Sequence, residues 1–101
     1  MKLVYKNKDI GVTFTHNEKI MRYKVQKLYF AYYIVDCKKY SSIMSKQEVD
    51  VVSVDKDNVI KGFVYNMHIN TVFSARGGVN TIILPCGYFD NLQIGEKFSF
   101  K

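Results

Sequence analysis

One stretch of the chain leaves little freedom in how it folds: Val49-Asp-Val-Val-Ser-Val54, the polar break Asp55-Lys-Asp-Asn58, and Val59-Ile-Lys-Gly-Phe-Val-Tyr65. Two runs rich in β-branched residues on either side of an Asp/Asn turn read as a β-hairpin. In the first run Val49, Val51 and Ser53 point one way and Asp50, Val52 and Val54 the other, so neither face is cleanly polar. A strand of this kind belongs in the middle of a sheet, covered on both sides. A further run, Val79 to Leu84, is stopped by Pro85, and Cys86-Gly87 opens a turn.

The remaining elements follow from local pattern. Lys2 to Tyr5 and Ile10 to Phe14 are β-prone runs separated by Lys6-Asn-Lys-Asp9, a second hairpin. Thr15-His-Asn-Glu18 matches a capping box, and Met21, Val25, Leu28 and Tyr29 fall on one helical face, with Lys19, Arg22 and Gln26 left for water. This predicts a helix from Asn17 to Leu28. Phe30 to Val35, aromatic and β-branched, reads as a buried strand leaving that helix. Asp36 to Glu48 is polar and aperiodic, a loop, and loops are where binding residues concentrate. Asn66 to Ser74 alternates weakly, Ala75-Arg-Gly-Gly78 breaks it, Tyr88 to Leu92 suits a single helical turn, and Lys97 to Phe100 forms a closing strand. Gly77-Gly78 has neither GxGxxG spacing nor a following Lys-Ser/Thr, and reads as backbone punctuation rather than a phosphate loop. The fold expected is α+β and mainly β: one helix packed on a strongly bent sheet or small barrel of about six strands.

The 101 residues suit a single domain with a real core. The net charge of +6 lies wholly in residues 1–48, which carry ten Lys/Arg against four Asp/Glu, while the rest balances five against five. Such asymmetry attracts phosphate backbones or anionic surfaces, but without a Lys/Arg run the plainer reading is a solvated, solubilising face. The start, Met1 to Lys8, has no apolar leader segment, and the longest apolar run, Leu28 to Val35, is eight residues, too few to span a bilayer. Cys37 and Cys86 lie far apart with no CxxC spacing, so a reduced, cytoplasmic protein without a metal knuckle is expected.

Residues 40–101 resemble the small bacterial and archaeal proteins grouped as domain of unknown function 192. The resemblance rests on Val49 to Ile60, on Leu84-Pro-Cys-Gly87 and on Leu92-Gln-Ile-Gly-Glu-Lys-Phe98, with Ile43-Met44 standing where that family has Trp-Met. The chain departs from the pattern at Ile43, at Ser45-Lys46-Gln47, at Ile83 and Cys86, and in lacking a proline before the strand at Val49. The resemblance implies a divergent member with a compact β-rich fold and little helix. It implies no particular activity.

Few residues carry chemistry. Cys86 beside Gly87 could act as a nucleophile if a base or helix N-terminus lowered its pKa; the plainer reading is a small buried side chain. His16, His68, Cys37 and Cys86 match no zinc spacing, and no metal or cofactor is expected. Asp55 and Asp57 suit turn amides, whereas Asp50 lies inside an apolar strand and must find donors there, either loop amides or a ligand. Lys38, Lys39, Tyr40 and Lys46 form a basic and aromatic patch of the kind that binds single-stranded nucleic acid, though tyrosines also serve as core residues. The first expectation is a non-enzymatic binding or accessory module, its small ligand or protein partner held by Met44, Lys46 and Asp50. The alternative is nucleic-acid binding through Lys38, Lys39, Tyr40 and Lys46.

Overall fold

The hairpin at Val49 forms as its sequence dictates, and the rest of the fold is organised around it. The computed structural model describes residues 1–16, 27–43 and 45–101. Among them lie nine strands and no helix: β1 (Lys2–Tyr5), β2 (Lys8–His16), β3 (Ala31–Val35), β4 (Lys39–Ser41), β5 (Val49–Val54), β6 (Ile60–Met67), β7 (Val72–Ser74), β8 (Asn80–Leu84) and β9 (Ser99–Phe100). The architecture is therefore all-β, which corrects the α+β expectation. The helix predicted from Asn17 to Leu28 lies outside the described residues except for Lys27 and Leu28, which are irregular. Thr15, read as a helix cap, is instead a buried residue of β2. Residues 88–92 form a bend and irregular chain rather than a helical turn.

Seven strands make one sheet in the order β6-β5-β8-β3-β2-β1-β9, and β4 pairs with β7 as a separate ribbon. All pairings are antiparallel except β2 with β3. The β1–β2 loop is a two-residue type I′ turn, since Lys6 and Asn7 both have positive φ (47° and 66°), the twist that matches paired strands. At the β5–β6 turn the Asp55 carboxylate accepts from the amides of Asp57 (2.8 Å) and Val59 (3.0 Å), while Asn58 takes the left-handed position at φ 65°.

The sheet curls into a half-barrel whose two ends are joined by the C-terminal run. The Phe98 amide donates to Asn58 (3.1 Å), the Ile60 amide to Glu96 (2.7 Å) and the Lys2 amide to Lys101 (2.8 Å). Charged contacts hold this run: Lys6 to Glu96 (3.1 Å), Lys101 to Asp9 (2.7 Å), and the Tyr5 hydroxyl donating to Glu96 (2.8 Å).

Two cores result. Leu3, Tyr5, Ile10, Tyr33, Val52, Val54, Ile60, Ile82, Phe89 and Phe98 come from both ends of the sheet and so fill its concave side. Ile34, Cys37, Tyr40, Val49, Val51, Met67 and Ile83 form the second on the convex side, where Tyr40 of β4 and Phe73 of β7 cover it. Every residue of β5 is buried, because its alternate side chains enter the two cores, as the absence of a polar face predicts. Burying each large apolar side chain favours folding by about 1.5–3 kcal/mol.

Candidate functional site

Asp50, the second residue of β5, is 2% exposed. Its donors come from a β-bulge: Val49 pairs with Met67 and Val51 with Val64, so Tyr65 and Asn66 together oppose Asp50. Asn66 adopts φ 51° there, and its amide donates to Asp50 Oδ1 at 2.7 Å. The other oxygen accepts from the Gly87 amide at 2.9 Å, and Gly87 sits at φ 81°, a conformation that favours glycine. The carboxylate thus ties the bulge to the turn that follows β8. Its partners lie after it in the chain, in the bulge of β6 and the turn after β8, and not in the segment before β5.

Beside it opens a cavity of about 280 Å³ lined by Asp50, Tyr65, Asn66, Gly87, Phe89 and Asp90. That is just below the usual range of small-ligand pockets, roughly 300–1,000 Å³, and suits a small group. The Tyr65 hydroxyl accepts from the Leu92 amide (3.0 Å), which fixes the ring, and Phe89 is anchored in the inner core. The lining thus combines two carboxylates with two aromatic rings and contains no cationic side chain.

Cys86 borders this region but is exposed, not the buried filler its position suggested; Cys37 is the buried cysteine. The Cys86 thiol donates to the Glu48 carbonyl (3.3 Å). Local burial, with the carboxylates of Asp50 and Glu48, pushes its pKa up. This is the reverse of what activates a nucleophile. His68 pairs with Glu48 (2.9 Å), and among the described residues no three His, Cys, Asp or Glu side chains gather where they could hold a metal ion.

The other expected site residues do not assemble with Asp50. Met44 lies outside the described residues, and Lys46 is exposed but absent from the Asp50 cavity. Lys38 and Lys39 are exposed and line a different cleft. Tyr40 is 2% exposed and belongs to the outer core, so its ring is not presented for base stacking. Tyr65, Phe89 and Asp90 were not singled out from sequence. The signal for the site was Asn66, a residue tolerant of left-handed backbone at the end of a β-prone run, which marks the bulge facing Asp50.

No protein-family model matches the chain, and no curated protein or solved structure is significantly similar to it. No helix among the described residues is long and apolar enough to cross a membrane.

Proposed function

We propose that the protein is a non-enzymatic binding module that takes a small cationic, hydrogen-bond-donating group into the cavity beside Asp50. The observation that carries this reading is the lining: Asp50 and Asp90 with the rings of Tyr65 and Phe89, and no lysine or arginine. A carboxylate accepts up to about four hydrogen bonds, so Asp50 can hold its two amides and still receive a ligand donor. Aromatic faces attract cations as well. Binding rather than catalysis is favoured because Cys86, the one nucleophile at the rim, is held toward its thiol form.

In this reading the chain is a divergent relative of the domain of unknown function 192 family, whose matching blocks contribute Asp50 and Gly87, and it works in the cytoplasm with free thiols. Nucleic-acid binding through Lys38, Lys39, Tyr40 and Lys46 is the weaker reading, because Tyr40 is buried. The binding proposal is tested by titrating methylguanidinium and ethanolammonium into ¹⁵N-labelled protein, with sodium chloride at equal ionic strength as the control. Saturable shifts at Asn66, Gly87 and Asp90 that weaken in Asp90→Asn support it. Shifts identical to those from sodium chloride contradict it.

A further inference from the structure

The fold places Lys38 and Lys39 across a cleft from the turn joining β7 to β8. Lys39 pairs with Ser74 in the β4–β7 ribbon. Beyond Ser74 the chain reverses through Ala75 to Gly78, with the Gly78 amide donating to the Ala75 carbonyl at 3.0 Å and Gly77 at φ 84°. Positive φ at the third residue makes this a type II turn, which glycine suits. The cleft, about 420 Å³, is lined by Lys38, Lys39, Ser74, Gly77 and Gly78 among others, and no carboxylate lines it.

Lys2, Lys6, Lys61 and Lys101 each lie against a carboxylate. Among the described residues Lys38, Lys39 and the adjoining Arg76 have no such partner. Lys8, Lys46, Lys56 and Lys97 are likewise in no ion pair among the described residues; what sets the cleft apart is that two such ammonium groups line it together with no carboxylate beside them. Asp55, which pairs with Lys61, is also held by the amides of Asp57 and Val59. The Lys61 stem packs beside Gly77, within 3.9 Å of where a side chain would begin. The Gly77 amide donates to no acceptor among the described residues. Ser74 adds a hydroxyl to this set. Two uncompensated ammonium groups, a hydroxyl and a turn amide are the donors an oxyanion needs.

We infer that this cleft is an oxyanion site, which takes the phosphate group of a small phosphorylated ligand. It lacks the stacking ring of a nucleic-acid groove, since Tyr40 is turned into the core, so the recognition is of the anion itself. This inference is independent of the Asp50 cavity, with which the cleft shares no lining residue.

The test is an amide-resolved NMR titration with pyrophosphate at constant ionic strength, using sodium chloride as the control. Wild type is compared with Lys38→Ala/Lys39→Ala and with Lys97→Ala. Saturable shifts of Ser74, Gly77 and Gly78 are expected, with affinity falling about tenfold or more in the double variant and unchanged in Lys97→Ala. The lysines are exposed, so the variant spectra should keep the folded dispersion. Shifts that do not saturate, that chloride reproduces, or that survive the double substitution would overturn the site. So would labelled single-stranded RNA binding far more tightly than pyrophosphate at the same cleft, which would make the ligand a nucleic-acid backbone.

Discussion

The two faces of the curled sheet are packed by different means. The inner core draws on both ends of the sheet, and the C-terminal run closes it with backbone hydrogen bonds to residues 58–60 and to Lys2. The outer core draws on β3, β5 and β8 and on one end strand, β6, and its cover is a ribbon of two three-residue strands that pair only with each other. A residue in the first region is held by contacts far apart in the chain; the ribbon is held by its own pairing and by the few side chains it buries. Stability should therefore concentrate inside the sheet, leaving the ribbon free to open on its own. The Lys38 and Lys39 cleft lies against this less anchored region. The Asp50 cavity lies at the better anchored one, through Phe89.

The largest expected effect sharpens this contrast. Phe98→Ala removes a ring that is 1% exposed and packs on Tyr5 and Phe89, and should destabilise by about 3–5 kcal/mol in denaturant unfolding. Phe73→Ala, in the ribbon and only partly buried, should cost about 1–2 kcal/mol. Equal losses would break the comparison. Next, Asp50→Ala leaves two part-buried amides without their acceptor and should cost about 1–3 kcal/mol, with Asp50→Asn recovering part of it because its oxygen can still accept one of them.

Gly78→Ala comes third, at about 1–3 kcal/mol. A Cβ there would sit 1.8 Å from Ser53 Oγ, so the strand must shift. Ser53→Ala should relieve part of that cost, since Ser53 Cβ remains 3.1 Å away. Alone, Ser53→Ala should be neutral or stabilising by about 1 kcal/mol, because the Ser53 hydroxyl is buried without a hydrogen-bond partner among the described residues. A clear loss of stability in Ser53→Ala would contradict that reasoning.

Acid should loosen the inner closure first. Lys101 holds the Asp9 carboxyl below its ordinary pKa, and the Tyr5 hydroxyl with Lys6 does the same for Glu96. A carboxyl with a depressed folded pKa contributes stability above its unfolded value, about 4, and loses it as pH falls through the folded one. Melting followed from pH 6 to pH 2 should thus show a decline beginning near pH 4, smaller in Lys101→Ala. The smallest effect concerns thiols: Cys86 should label more slowly than a free cysteine at neutral pH, and Cys37 only on unfolding.

Much of the sheet was legible in the sequence, and the reason is local. The hairpins at β1–β2 and β5–β6 carry their own turn chemistry, and β3, β8 and the closing strand are short β-prone runs ended by clear breaks. The ribbon was not legible. Lys39 to Ser41 sits in a polar segment without period, and it becomes a strand only because Val72 to Ser74 meets it from 31 to 35 residues away along the pairing. The same limit governs the sites. Burial of Asp50 followed from its strand, but its donors Asn66 and Gly87 lie 16 and 37 residues on. Tyr40 and Cys86 were misplaced for a related reason: an isolated aromatic or thiol carries no periodic signal of which way it faces.

Native-state hydrogen exchange tests the central claim most directly. The amides of Ser42 and Thr71, which tie the ribbon end together, should exchange through a local opening well below the global unfolding free energy. Those of Val52 and Ile82, between the two cores, should exchange only with global unfolding. If all four exchange with one common free energy, the sheet and the ribbon unfold as a single cooperative unit, and the ribbon does not open on its own.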